Sequence, residues 1–211
     1  MARARYLTIR SDHPEFHRVG RVVSLLEQGG VVLIPTDTVH ALVCDPRRKE
    51  ALARLRQIKP SLGDRPLTLL TRDLSVASRY AYLDDAAFKF IKGLTPGPYA
   101  FLLKGTKEVP RLVLDPKRKQ AGIRIPASPL CRALLEGLGG LLVSTSATLE
   151  AGAAPASHWD VFEEYENKVD LIVDDEGELG TVPSTIIDMV SVPYRIAREG
   201  RGMAALAPIM A

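Results

Sequence analysis

Val31-Val32-Leu33-Ile34-Pro35-Thr36-Asp37-Thr38-Val39-His40-Ala41-Leu42 is the stretch on which the fold turns. Aliphatic residues follow Gly29-Gly30 and stop at Pro35, which has no N–H for a sheet ladder, so the run reads as a buried strand with a sharp end. The small polar side chains of Thr36, Asp37 and Thr38 then stand at its carboxyl end. They suit the cap of a following helix or the edge of a ligand site, since ligands of open α/β sheets sit beyond the carboxyl ends of strands.

Upstream, Tyr6 to Arg10 alternates like a strand, and the segment from Pro14 to Gln28 carries Val19, Val22, Val23 and Leu26 on one helical face until Gly29-Gly30 stops it. Downstream, Arg47 to Ile58 reads as a helix ended by Pro60, and Leu67-Thr68-Leu69-Leu70 as a strand. Asp73 and Asp84 are expected to cap two short helices, and Thr95-Pro96-Gly97-Pro98 makes a turn before the strand Tyr99 to Leu103. Gly122 to Pro126 is a short strand, Pro129 to Leu138 a helix, and Leu141-Leu142-Val143 a buried strand ending in Ser144-Thr145-Ser146. A helix from Trp159 to Glu166 precedes strands at Leu171 to Val173, Thr185 to Met189 and Arg195 to Ala197. Strands that alternate with helices early and follow one another late predict an α/β chain of α+β character. The expected architecture is a twisted, open mixed sheet with helices packed on it, not a parallel Rossmann arrangement.

A chain of 211 residues with 46% hydrophobic content suits one domain spanning 1–211. Neither end offers an apolar signal or anchor, so a cytoplasmic protein with no membrane contact is expected. Cys44 and Cys131 stand far apart outside any CxxC array, which fits buried hydrophobes in a reducing compartment. Lysine and arginine number 28 against 25 acidic residues, a mild excess that permits an anionic partner.

No GxGxxG, P-loop, GxSxG or HExxH motif occurs, and the histidines have no metal-ligand spacing, so no metal site of protein side chains is expected. A nucleotide bound without a P-loop must be met by side-chain cations and magnesium. Lys59, Arg65 and Arg198 are the candidates, each at the end of a predicted element. Arg124 lies inside the apolar strand Ile123-Arg124-Ile125-Pro126, where a guanidinium either snorkels or pairs with a carboxylate in a cleft. Ser144, Ser146, Ser184 and Thr185 add hydroxyls at strand ends, fit for a small polar ligand or for bonds to nearby backbone.

Pro35-Thr36-Asp37-Thr38, Ile58-Lys59, Thr95-Pro96-Gly97-Pro98, Arg124-Ile125-Pro126, Ser144-Thr145-Ser146-Ala147, Pro183-Ser184-Thr185 and Arg198-Glu199-Gly200 together resemble, in order, the YrdC/YciO-like proteins related to threonylcarbamoyl-AMP synthase. Leu103 to Arg111 is similar to the YciO branch. The resemblance implies a YrdC-like fold with a concave, positively charged cleft that binds ATP, with magnesium, and L-threonine. It also implies a nucleotidyltransferase reaction. Threonine captures bicarbonate as a carbamate, whose oxygen attacks the α-phosphorus of ATP, giving threonylcarbamoyl-AMP for tRNA modification and releasing pyrophosphate. By position, Thr36, Thr68, Arg124, Ser144 and Ser184 would face threonine, with Arg124 on its carboxylate. Lys59, Ser146 and Arg198 would face ATP and serve catalysis, with Arg65 beside them.

The chain departs from the synthase pattern at Ser61, where an arginine is usual, at Thr148, where an asparagine is usual, and at His40 in place of tyrosine. Each lost charge-assisted contact to phosphate removes roughly 1.5–3 kcal/mol. Weak synthase activity, or handling and hydrolysis of the adenylate, is therefore part of the expectation. The alternative is a binding module for tRNA or double-stranded RNA without chemistry, using Lys117, Arg118 and Lys119.

Overall fold

The computed structural model describes residues 3–149, 155, 157–177 and 180–210. Its strands are β1 (Arg5–Thr8), β2 (Val32–Ile34), β3 (Ala41–Cys44), β4 (Thr68–Thr71), β5 (Tyr99–Lys104), β6 (Gln120–Arg124), β7 (Leu141–Ser146), β8 (Leu171–Asp174), β9 (Thr185–Asp188) and β10 (Arg195–Arg198). They form one ten-stranded sheet in the order β1-β8-β2-β3-β7-β4-β6-β5-β9-β10. Pairing is mixed: β2 runs parallel to β8 and antiparallel to β3, and β4 runs parallel to β6 and antiparallel to β7. The helices are α1 (Phe16–Glu27), α2 (Lys49–Ile58), α3 (Leu74–Tyr80), α4 (Asp85–Leu94), α5 (Pro129–Gly137), α6 (His158–Tyr165) and α7 (Met203–Met210), with a 3-10 turn at Pro60–Leu62. The mixed α/β architecture expected from the sequence is the one that forms. Asp73 and Asp84 cap α3 and α4 as expected, accepting the backbone N–H of Val76 and of Ala87.

Thr36, Asp37 and Thr38 cap no helix. The Thr36 hydroxyl donates to the Val39 carbonyl at 2.6 Å and accepts from the Thr38 N–H at 3.1 Å, so the polar groups close a bend. The chain then returns as β3 with Leu42 opposite Leu33. The sequence reading missed β3, because its apolar residues follow the polar bend immediately and read as the start of a helix.

Alternation along the strands divides the core into two faces. Val32, Ile34 and Val43 pack with Val22 and Leu26 of α1 and Leu130 and Leu134 of α5. Val31, Leu33, Leu42 and Leu69 pack on the opposite side with α2, α4 and α6. Helices α1 and α5 cover only part of their face. Leu70 of β4 and Leu142 of β7 lie in their cluster, whereas Thr68 and Ser144, two residues along the same strands, line an open cleft. The site begins where the helices end.

Candidate functional site

The cleft encloses about 760 Å³. Small and apolar residues from the right-hand strands, Ala100, Leu102, Gly122, Ile186 and Ala197, are part of its lining. Gly122 pairs with Thr68, and a Cβ there would come within 3.0 Å of the Thr68 hydroxyl, so the glycine leaves that hydroxyl room. Thr68, Ser144, Ser146 and Ser184 all present polar side chains to the cavity. Lys59, Arg65, Lys117, Arg118, Arg124 and Arg198 line it as well, against the carboxylates of Asp64 and Asp115.

Arg124, only 8% exposed, projects from the end of β6. It donates to the Thr38 hydroxyl at 2.9 Å and to Asp37 Oδ1 at 2.8 Å, so the polar bend after β2 fixes the guanidinium. Among the described residues Arg124 Nε and Asp37 Oδ2 are buried without hydrogen-bond partners. The bend is held in turn by Arg201, whose guanidinium donates to the Asp37 carbonyl at 2.6 Å. Gly180 also packs on it, so closely that a Cβ would sit 1.5 Å from the Thr38 carbonyl oxygen.

Lys59 leaves the C-terminal end of α2 and is 4% exposed. Its ammonium donates to the Thr148 carbonyl, to the Thr148 hydroxyl at 3.0 Å and to the Tyr165 hydroxyl at 3.1 Å. Tyr165 itself donates to the Thr148 carbonyl at 2.6 Å. Thr148 is thus an anchor for the lysine. Ser61 stands exposed on the rim, and the Arg65 guanidinium folds back to the carbonyls of Ser61 and Leu62. Arg198 donates to the Ser184 carbonyl at 2.7 Å and hydroxyl at 3.2 Å. Its pKa is lowered chiefly by burial, with repulsion from Arg124 and Arg65 adding to the shift.

His40 lies on the cleft wall, 5% exposed, with its ring edge-on to Phe162 at 5.6 Å between centroids. Its Nε2 has no hydrogen-bond partner among the described residues. Burial pushes the imidazole pKa down, with His158 adding to the shift while Asp175 and Asp174 oppose it. The cysteines are buried, their thiols pushed up by burial to about 12 at Cys44 and about 11 at Cys131, as befits inert hydrophobes.

Of the residues singled out from sequence, the cleft brings together Lys59, Arg65, Thr68, Lys117, Arg118, Arg124, Ser144, Ser146, Ser184 and Arg198. Thr36 does not line it, because its hydroxyl is spent on the bend and acts on the site through Thr38. Lys119 does not line it either. Thr185 is fully buried, its hydroxyl bound to the Arg201 carbonyl. Asp37 and Thr38 were read as a helix cap or the edge of a ligand site, and their bonds to Arg124 are what the sequence reading missed. Gln120, buried and polar in the cleft wall, and Tyr165, the partner of Lys59, were missed too.

The family described as "Telomere recombination" (Sua5/YciO/YrdC) matches residues 24–200. The chain belongs to that family. The uncharacterized protein YciO of Escherichia coli K12 is 39% identical over 200 residues, covering 94% of this chain and 97% of the relative. The crystal structure of E. coli YciO has a TM-score of 0.87 at 38% identity, over 94% of this chain and 97% of that one. The threonylcarbamoyl-AMP synthase of Halorhodospira halophila is 34% identical over 180 residues, 84% of this chain and 93% of the relative. P. abyssi Sua5 complexed with L-threonine shares the fold, with a TM-score of 0.82 at 24% identity, over 92% of this chain and 57% of that one. The family is threonylcarbamoyl-AMP synthase-like. Among the described residues no helix is long and apolar enough to cross a membrane.

Proposed function

We propose that the cleft binds L-threonine and ATP and joins them with bicarbonate to give threonylcarbamoyl-AMP and pyrophosphate, at a rate limited by the changes at Ser61 and Thr148. The observation that carries this reading is the convergence of Arg124, the hydroxyls of Thr68, Ser144 and Ser184, and the cations Lys59, Arg65 and Arg198 on one cavity. Family membership and the L-threonine held by P. abyssi Sua5 support it.

Arg124, already oriented by Asp37 and Thr38, takes the threonine carboxylate, and Thr68, Ser144 and Ser184 bind its polar atoms. Threonine's amine attacks bicarbonate, water is lost, and the resulting carbamate oxygen attacks the α-phosphorus of ATP. Lys59, Ser146 and Arg198 face the nucleotide, with Arg65 covering the position of Ser61. Positioning and charge neutralisation supply the catalysis. Magnesium would arrive on the phosphates, whose oxygens provide its ligands, and among the described residues no three His, Cys, Asp or Glu side chains gather to hold an ion. The adenylate so formed would serve tRNA modification in the cytoplasm.

The test is incubation with threonine, bicarbonate, magnesium and ATP labelled at the α-phosphate. Labelled adenylate and threonine-dependent pyrophosphate release are expected, and the absence of both sinks the synthase reading. Arg124→Lys keeps a cation for Asp37 but loses the planar fork, and should raise the threonine concentration needed by roughly tenfold or more.

Duplex RNA binding without chemistry is the second reading, favoured by the exposed cations Lys117 and Arg118 at the rim. It expects RNA affinity that falls steeply with salt and no ATP turnover.

A further inference from the structure

The cations of the cleft differ in how far they are committed. Lys59 is bound to Thr148 and Tyr165, Arg124 to Asp37 and Thr38, Arg198 to Ser184, and Arg65 to the carbonyls of Ser61 and Leu62. Lys117 and Arg118 are different: both are exposed, both line the cavity, and among the described residues neither side chain makes a hydrogen bond or an ion pair. Their backbone is nevertheless fixed. Asp115 Oδ1 accepts the N–H groups of Lys117 and Arg118, each at 2.8 Å. The loop closes on itself through Asp115 N–H to Gln120 O and Lys119 N–H to Asp115 O, each at 2.9 Å. Asp115 therefore spends one oxygen on the loop, and its charge acts on Arg118 and Lys117 without a salt bridge to either. Two cations with no hydrogen bond or salt bridge thus stand on a hydrogen-bonded turn over a cavity whose interior cations are bound to protein groups.

We propose that the loop from Asp115 to Arg118 is the subsite for the polyphosphate tail of the nucleotide, with Lys117 and Arg118 binding the β- and γ-phosphates and retaining pyrophosphate on release. This rests on the nucleotide reading above. In the adenylation step the carbamate oxygen bonds to the α-phosphorus as the bond from that phosphorus to the bridging oxygen breaks, and the electron pair leaves with pyrophosphate. Cations beside the leaving group neutralise the charge it gains, so Lys117 and Arg118 serve from this loop the need left by Ser61. The Lys117 ammonium and the Arg118 guanidinium have all their donors available to phosphate, whereas Arg198 has already given Nε and Nη2 to Ser184.

Calorimetric titration of the full chain with magnesium pyrophosphate, with AMP and with a short RNA duplex tests this. The Lys117→Ala/Arg118→Ala variant should bind pyrophosphate at least about tenfold more weakly while AMP affinity stays within about twofold. A Lys89→Ala/Lys107→Ala variant, with the same change in charge at exposed positions outside the cleft, should bind both as the parent does. Unchanged pyrophosphate affinity in the first variant overturns the subsite and leaves the nucleotide reading standing. Equal loss of AMP and pyrophosphate also overturns it, because the effect is then not confined to the tail. Loss of duplex binding with pyrophosphate affinity intact assigns the loop to RNA instead. A parent chain that binds neither AMP nor pyrophosphate removes the nucleotide reading and the subsite together.

Discussion

One face of the sheet is built in two ways. Under α1 and α5 the strands present Leu70 and Leu142, sealed in a cluster with Leu130 and Leu134. Two residues along the same strands they present Thr68 and Ser144 to a cavity. Strand geometry is the same in both regions, so the cover decides their character. Along β4 and β7 apolar side chains face the helices, while hydroxyls face the space that the helices leave. Substitutions in the covered region should therefore act on stability, and those in the open region on ligands.

Arg124 is where this division should fail most visibly, because it belongs to both regions. Arg124→Ala strands the Asp37 carboxylate, which is mostly buried, and should cost about 3–5 kcal/mol in chemical denaturation as well as threonine binding. Leu142→Ala, at a fully buried position, should cost about 2–5 kcal/mol by the same measurement. Ser144→Ala sharpens the contrast from the open side of the same strand. Its hydroxyl makes a long 3.4 Å bond to the Thr68 carbonyl, so stability should change by less than about 1 kcal/mol. Threonine affinity, read by calorimetry, should fall by about tenfold.

The smallest effect is the pH response of His40. Its folded pKa lies below the ordinary 6.5 because the ring is buried. Below that pH the unfolded chain takes up the proton more readily than the folded one, so stability present above 6.5 is lost as pH falls towards the folded pKa. Melting temperatures taken between about pH 7 and pH 5 should fall less in His40→Gln than in the parent. An equal fall in both would remove His40 from the account.

What was legible in the sequence was local. The aliphatic run before Pro35, the aspartates ahead of α3 and α4, and a guanidinium inside an apolar strand each carry their meaning within a few residues. What failed to show was made by distant pairing. Asp37 left a cap and a ligand edge equally open because its true partner, Arg124, arrives from β6. Lys59 gave no hint of Tyr165, which arrives from α6. Lys117, Arg118 and Lys119 read as one basic run, but the turn takes Lys119 into left-handed backbone, φ 56°, and out of the cavity that the other two line. Charge was readable there, and direction was not.

The strand order also bears on how the chain acquires its shape during synthesis. β8 lies between β1 and β2, and β9 and β10 finish the opposite side of the sheet. A nascent chain that has reached β7 therefore has β1 without its sheet neighbour, and the cavity still lacks Ser184 and Arg198. The β1 side is completed when β8 emerges, which until then leaves apolar strands such as β2 open on one side, and the opposite side only after β10 has cleared the ribosome. A ribosome stalled before β8 would carry a chain exposed to aggregation, and the ligand site would be among the last parts of the molecule to exist.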